Sequence, residues 1–212
     1  MVKVTIYVEG GGDSRQERIR CRQGFRKLLE KAGFQGRMPG ITACGGRESA
    51  YQDFCTATSS RGRQDAYPIL LVDSEDPVQN PSAAPDSPAA WEHLGVRDNW
   101  GRPDHIHADQ AQLMATCMET WIMADPHTLR SVFGPALQES ALLPLPRLEQ
   151  RSRQQVQDAL EHATRNSGRD KAYRKGRRSF QVLEQLSPAA LDAHLPHFQR
   201  LKRTLERHCP SA

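Results

Sequence analysis

Several patterns that mark common classes of protein are missing from this chain of 212 residues. Its five cysteines never form a CxxC pair, which argues against a zinc ribbon or a disulfide framework, so we expect reduced and mostly buried thiols. No apolar run approaches the roughly 20 residues of a membrane-spanning helix. The first residues become acidic and glycine-rich where a signal peptide would stay apolar, so we expect a cytoplasmic protein that does not bind membranes.

Two further kinds of site are disfavoured by spacing. The glycines at 10–12 follow an acid and lack the GxGxxG spacing, which argues against a dinucleotide site or a P-loop. A histidine cluster, Asp104, His105, His107 and Asp109, would place the two histidines on one face of a strand. No third nitrogen or sulfur ligand is spaced to complete a zinc site there.

Charge is distributed unevenly along the chain, whose net charge is +4. Residues 151–180 carry nine Lys or Arg and three acids, which gives +6 for this segment and −2 for the rest. Such a segment is either a solvated helical face or a surface for a polyanion. Lys171 and Lys175 lie within it, and they either neutralise phosphate or leaving-group charge or belong to a solvated basic loop.

Hydrophobic periodicity predicts alternating strands and helices in the first third of the chain. We predict strands at 2–8, 39–43 and 67–72, with a helix starting near Asp13 between the first two and another over 48–58 between the last two. This alternation is typical of a parallel sheet. The first helix is expected to bury the apolar side chains Ile19, Phe25, Leu28 and Leu29.

The rest of the chain has weaker patterns. The proline-rich residues 77–103 predict a long loop or lid, with Trp91 and Trp100 holding it to the body of the protein. A brief strand is expected at 105–107, and 110–123 is apolar enough for a buried helix or a strand–helix pair. Helices are predicted near 154–164 and 197–207.

Acidic residues follow two of the predicted strands. Glu9 and Asp73 would leave a parallel sheet from the same carboxyl-end edge, where α/β proteins place their sites. Asp13 lies four residues after Glu9 across a glycine turn, and Glu75 lies two after Asp73. Four converging carboxylates repel each other unless a cation holds them, and oxygen ligands suit Mg²⁺ or Mn²⁺. The structural alternative is that such acids cap helices, as Asp13 would for the first helix.

These residues carry a resemblance to Toprim domains. The segment YVEGGGD resembles the Toprim glutamate motif in the ExxxD form of nucleases of the overcoming-lysogenization-defect type, and LVDSED resembles the DxD motif with Glu75 in third place. Three further stretches extend the similarity: the tryptophan-containing run at 91–100, ADQ to ADP at 108–126, and KxYxKG at 171–176. The chain therefore resembles a bacterial family of the Toprim-like group, often encoded beside an ATPase in defence islands.

The resemblance implies a fold and its division. It implies an α/β protein with a Toprim-like, central, mostly parallel sheet flanked by helices and a helical C-terminal extension. Residues 1–130 would form the metal-binding core, including the proline-rich insertion at 77–103. Residues 131–212 would form a helical, basic extension packed on that core.

It also implies roles for individual residues. Glu9 would be a general acid/base or a metal ligand, and Asp13, Asp73 and Glu75 would hold Mg²⁺ or Mn²⁺. Many relatives have aspartate at the position of Glu75, so Asp76 is an alternative ligand. The expected catalytic residues are Glu9, Asp73, Lys171 and Lys175. Glu119, between apolar neighbours, is either a partner in a structural salt bridge or a further metal ligand.

Three functions fit these features. The first is a metal-dependent nuclease acting on DNA or RNA, as the effector of a bacterial defence system that works with a separate ATPase. The second is a non-catalytic Toprim-like subunit that binds nucleic acid or the ATPase. The third is a phosphotransferase or phosphohydrolase that acts on nucleotides or other small molecules with the same carboxylates.

Overall fold

A four-stranded, all-parallel sheet lies at the centre of the computed structural model, which describes residues 3–59, 66–168, 172–174 and 176–210. The strands are β1 (Lys3–Gly11), β2 (Gly40–Gly45), β3 (Ala66–Asp73) and β4 (Ala111–Met114), in the order β2-β1-β3-β4. The predicted α/β class, with a parallel sheet flanked by helices and followed by C-terminal helices, is confirmed. Because β1 and β3 are the two central strands, their carboxyl ends lie side by side.

Helices cover both faces of this sheet. The first five are α1 (Arg15–Leu29), α2 (Arg47–Ser59), α3 (Ala89–Asp98), α4 (Met118–Met123) and α5 (Pro126–Phe133). The last four are α6 (Arg153–Thr164), α7 (Arg177–Leu183), α8 (Pro188–His194) and α9 (Pro196–His208). Within the described part of the chain, none of these helices has the length and apolar character needed to span a membrane.

Side chains of the sheet alternate between two apolar clusters. Ile69 and Leu71 of β3 belong to the cluster that also contains residues of α1 and of the C-terminal helices. Leu70 and Val72 of the same strand belong to the cluster formed with α2 and α3. All four side chains are fully buried, which explains why this strand reads as a continuous apolar run in the sequence.

Helix α1 departs from its predicted pattern in two places. Ser14, and not Asp13, caps its amino end, with the Ser14 hydroxyl accepting from the Glu17 N–H at 3.4 Å. Phe25 and Leu28 are buried as predicted, but the prediction for Ile19 is wrong, because its side chain is 44% exposed. After Leu29 the chain continues in a short π-helical segment, Glu30–Phe34, in which Gly33 has a φ of 96°.

The proline-rich segment is more ordered than a loop. Helix α3 lies within it, and Trp91 and Trp100 are buried against α2. The Trp100 ring stacks on Tyr51 with centroids 4.3 Å apart, so the tryptophans hold this segment to the body of the protein as expected. The sequence pattern missed α3 because the prolines and short polar stretches before it dominate the local signal.

Two other predictions have clear outcomes. The strand expected at 105–107 is wrong, since these residues form a turn and an extended connection, and β4 begins at Ala111. The strand–helix alternative for 110–123 is confirmed by β4 and α4. All five cysteines are free thiols and four are buried, as expected.

Candidate metal centre

The pairing of β1 with β3 brings Glu9 and Asp73 together. Val8 is in register with Leu71, so the next residues of both strands emerge at the same edge of the sheet. The Asp73 backbone N–H donates to Glu9 Oε2 at 3.1 Å. One carboxylate oxygen from each of Glu9, Asp73 and Glu75 lies within 4.8 Å of the other two. Such a spacing lets the three carboxylates share one cation.

Asp73 is held rigidly at this edge. Its side chain is almost fully buried, and Oδ1 accepts from the backbone N–H of Met118, the first residue of α4, at 2.9 Å. On its other side the strand pairs with β4, where Asp73 is in register with Met114. The carboxylate therefore has a fixed orientation set by backbone contacts, as a ligand on a rigid element requires.

Glu75 reaches the cluster through an unusual backbone conformation. Its φ is +66°, a left-handed value that costs a residue with a side chain about 1–2 kcal/mol. Its N–H donates to the carbonyl of Thr116 at 2.8 Å, which fixes the turn. Its carboxylate forms an ion pair with Arg153 at the start of α6.

Glycines at the ends of β1 and β2 lie beside the carboxylates. Gly11 has a φ of 87°, and a Cβ there would lie 2.7 Å from the Arg18 Cα atom. A Cβ on Gly45 would lie 2.7 Å from the Gly12 carbonyl oxygen. Only glycine allows β1 and β2 to end in such close contact, so these positions shape the edge of the site.

A cleft of about 370 Å³ opens at this edge of the sheet. Among the described residues that line it, the acids are Glu9, Glu17, Asp73 and Glu119, and none is Lys or Arg. Phosphate would meet strong repulsion in such a cleft without a cation. The lining therefore makes this cleft strongly electronegative.

The Glu119 carboxylate is buried beside the cleft, and only one of its oxygens has a hydrogen-bond partner among the described residues. Its side chain is 0% exposed, and Oε1 accepts from the Tyr173 hydroxyl at 2.7 Å. Oε2 is buried without a hydrogen-bond partner, and no ion pair of Glu119 occurs within the described part of the chain. A buried carboxylate oxygen with no donor is costly, and an ion in the cleft would satisfy it. Glu119 lies outside the three-carboxylate group, and the oxygen ligands that suit Mg²⁺ or Mn²⁺ are those of Glu9, Asp73 and Glu75.

Tyr173 acts as the donor to Glu119. Burial, together with the charge of Glu119, raises the pKa of the Tyr173 hydroxyl well above its usual value. The hydroxyl is thus protonated at neutral pH, and its oxygen also lies 2.7 Å from Ser179 Oγ. This connection ties the segment before α7 to the acidic cleft.

Arg47 lies on the other side of the cluster, at the start of α2. Its guanidinium group donates to the Asp73 carbonyl, lies 3.7 Å from Glu9 Oε2 and stands over the Trp100 ring at 4.9 Å. It also pairs with Asp98 at 2.5 Å. Burial alone would raise the pKa of Asp98, but Arg47 and Arg97 hold it below its usual value. Arg47 is therefore anchored on several sides.

The remaining predicted site residues have different positions. Asp13 is exposed in the turn before α1, outside the three-carboxylate group. Asp76 points away, with a side chain that is 70% exposed and paired with Arg97 at 3.1 Å. Lys171 and Lys175 lie outside the described residues.

The histidine cluster does not assemble a metal site in the described ranges. No group of three ligands forms from Asp104, His105, His107 and Asp109. Asp109 is instead buried, and it accepts from the Tyr67 hydroxyl at 2.5 Å and contacts His208 Nε2 at 2.9 Å. These contacts join α9 to the beginning of β3.

Sequence reasoning assigned no role to three residues that lie beside the carboxylates. Arg47 comes two residues after the end of β2, so its position at the same sheet edge was available from the strand pattern. Arg153 and Tyr173 come from distant segments, and no local signal in the sequence places them beside Glu75 and Glu119.

Comparison with known proteins gives one match. A family model described as "Domain of unknown function (DUF4276)" matches residues 8–206. No curated protein and no solved structure matches the chain.

Proposed function

This chain belongs to the DUF4276 family, and we propose that it is a metal-dependent nuclease that hydrolyses phosphodiester bonds in DNA or RNA. The observation that carries the proposal is the convergence of Glu9, Asp73 and Glu75, whose ligand oxygens lie within 4.8 Å of one another. The buried, unpartnered Oε2 of Glu119 in the same cleft supports it. An acidic cleft on a rigid sheet edge suits a reaction in which a cation meets a phosphate.

The ion would be held by Glu9, Asp73 and Glu75, while Glu119 lines the neighbouring cleft outside this three-carboxylate group. All of these donors are carboxylates, which favours Mg²⁺ or Mn²⁺ over softer transition metals. When bound, such an ion polarises a phosphoryl oxygen and makes a water molecule a better nucleophile.

The protein's own residues have separate roles in this proposal. Asp73 is the fixed ligand, because the Met118 N–H sets the direction of its carboxylate. Glu9 holds or moves a proton at its carboxylate, which the Asp73 N–H orients. Lys171 and Lys175 neutralise the substrate's phosphates from the basic segment.

The biological setting follows from the resemblance to Toprim-like proteins of defence islands. In this setting the chain is a cytoplasmic effector that works with a separate ATPase.

A non-catalytic, Toprim-like binding subunit is the second candidate, and one observation favours it. Glu9 and Glu75 each lie beside an arginine, Arg47 and Arg153, so the protein itself supplies positive charge to the cluster. A subunit of this kind would bind nucleic acid or the ATPase without cleavage.

The deciding experiment compares the wild-type chain with Asp73→Asn and Asp158→Asn on a supercoiled plasmid and on transfer RNA. Asp158 is exposed on α6 and provides a control of the same chemistry. Each protein is assayed with Mg²⁺, with Mn²⁺ and with EDTA, alone and with the ATPase encoded beside it.

We expect cleavage by wild type and by Asp158→Asn only with metal, and none by Asp73→Asn. Binding without cleavage in every condition would support the second candidate. Release of phosphate from free nucleotides, with no cutting of polymers, would indicate a small-molecule phosphohydrolase.

A further inference from the structure

The ion pair between Arg153 and Glu75 lies inside the proposed metal site. Glu75 contributes one of the three clustered ligand oxygens, and the Arg153 guanidinium group contacts Oε2 of the same carboxylate. A cation that uses Glu75 must therefore compete with this arginine. The side chains are 29% and 16% exposed, so the pair is accessible from the solvent.

Hydrogen bonds connect the start of α6, which carries Arg153, to the turn that carries Glu75. Thr116 accepts from the Glu75 N–H at 2.8 Å, and its hydroxyl donates to the Arg151 carbonyl at 3.1 Å. Ser152 then caps α6 and accepts from the Gln155 N–H at 3.2 Å. The start of α6 is thus tied to the turn that carries Glu75, and Arg153 is brought to the cluster by the fold.

Arg47, the other arginine beside the cluster, provides a contrast. It is bound to Asp98, to the Asp73 carbonyl and to the Trp100 ring, and its side chain is only 14% exposed. Releasing it would break several contacts at once. Arg153 has Glu75 as its ion-pair partner among the described residues, so a single exchange of partners frees it.

We propose that Arg153 occupies Glu75 until a divalent cation displaces it, and that the released guanidinium group then binds a phosphate of the substrate. This inference rests on the proposed nuclease function and adds regulation and a substrate contact to the same site. Arginine suits the second role because its planar group binds two phosphate oxygens at once. The cation then replaces arginine as the partner of Glu75, and the phosphate replaces Glu75 as the partner of arginine.

The metal step is tested without any substrate. Mn²⁺ is titrated into wild type, Arg153→Ala, Arg153→Lys and the control Arg22→Ala, in which an exposed arginine on α1 is removed. We expect Arg153→Ala to bind Mn²⁺ about two- to fivefold more tightly, which corresponds to the loss of one partly exposed ion pair. Arg153→Lys should resemble wild type, and so should Arg22→Ala.

A double variant separates the ion pair from a general effect of charge. In a Glu75→Gln background the pair is absent, so Arg153→Ala should no longer change Mn²⁺ affinity. An equal gain in both backgrounds would overturn the direct competition. Unchanged or weaker Mn²⁺ binding by Arg153→Ala alone would overturn it as well.

The phosphate step is tested with labelled DNA and RNA oligonucleotides of one sequence in the presence of Ca²⁺. Arg153→Ala should weaken binding of both and lower the slope of log affinity against log salt by about 0.7, the effect of one phosphate contact on a single strand. Arg22→Ala should leave the slope unchanged. An unaltered slope in Arg153→Ala would overturn the phosphate role.

Failure of the nuclease proposal and failure of the inference about Arg153 give different results. If wild type binds Mn²⁺ but neither oligonucleotide, the nuclease proposal and the phosphate step fall, and the Mn²⁺ series still decides the competition at Glu75. If wild type cleaves nucleic acid and Arg153→Ala matches it in both series, only the inference about Arg153 falls.

Discussion

The backbone N–H of Asp73 donates a hydrogen bond to Oε2 of Glu9 at 3.1 Å, across the two central strands of the sheet. The contact connects residues that are 64 positions apart in the sequence. The formation of the parallel sheet therefore brings these carboxylates together. Such preorganisation lowers the cost of assembling the site when an ion binds.

Asp73 stabilises the metal-free protein through one oxygen while its charge repels Glu9 and Glu75. We expect Asp73→Asn, which retains an acceptor for the Met118 N–H, to melt in EDTA at or slightly above the wild-type temperature. Asp73→Ala leaves that buried donor unpaired, at a cost of about 1–2 kcal/mol, or roughly 2–6 °C in Tm. Differential scanning calorimetry of the three proteins measures this order.

One order of the three melting temperatures would contradict this prediction. If Asp73→Asn melts as far below wild type as Asp73→Ala, the charge of Asp73 supports the fold, and the cluster is a structural network of acids and arginines.

Glu119→Gln should make the metal-free protein more stable and should reduce the stabilisation that Mn²⁺ provides. Glu119→Gln retains an acceptor for Tyr173 and removes a buried charge that has an unpartnered oxygen, so Tm in EDTA should rise by about 2–4 °C, or roughly 1 kcal/mol. The increase in Tm on adding Mn²⁺ should become smaller than in wild type, because the cleft that attracts the cation loses one negative charge.

Glu149→Gln is the matched control, since Glu149 is equally buried but fully engaged with His197. Its carboxylate lies 2.7 Å from the His197 ring and accepts from the His197 N–H. Its loss should lower Tm without changing the response to Mn²⁺. If Glu119→Gln behaves like this control, Glu119 has a structural role and does not take part in metal binding.

The sequence predicts β3 and the start of β1 well because strand periodicity is a local feature, whereas β1 continues to Gly11, three residues beyond its predicted end. The same reasoning misplaces Asp13, because a glycine turn leaves the direction of the chain open, and here Ser14 takes the capping role. It could not find Arg153, whose contact with Glu75 depends on how α6 packs against the sheet edge. Long-range contacts of this kind have no periodic signature.

The choice between Glu75 and Asp76 as ligand can be settled by two substitutions of the same kind. Glu75→Gln should weaken Mn²⁺ binding by at least about tenfold, whereas Asp76→Asn should stay within about twofold of wild type. The reason is that Asp76 is exposed and paired with Arg97, away from the cleft. Isothermal titration calorimetry gives both constants, and the reverse order would make Asp76 the ligand.

The basic segment should contribute phosphate contacts through Lys171 and Lys175. Replacing both by Ala should weaken nucleic-acid binding similarly for different sequences, and should lower the salt slope by roughly two, since each phosphate contact contributes about 0.7–0.9. Fluorescence anisotropy at several salt concentrations measures the slope.

A double replacement of Lys27 and Lys202 removes the same charge outside this segment and should leave the slope unchanged. If the Lys171 and Lys175 variant keeps the wild-type slope but no longer associates with the ATPase, these lysines form a protein contact. An unchanged slope would in either case exclude their phosphate role.

Titration of Mn²⁺ into the purified chain is the sharpest test of the metal centre, because it needs neither the right substrate nor the ATPase. We expect saturable binding by wild type and by the exposed control Asp158→Asn. We also expect a loss of at least about tenfold in affinity for Asp73→Asn. Mn²⁺ binding that Asp73→Asn leaves unchanged, or no binding by wild type at millimolar metal, would contradict a metal centre at Glu9, Asp73 and Glu75.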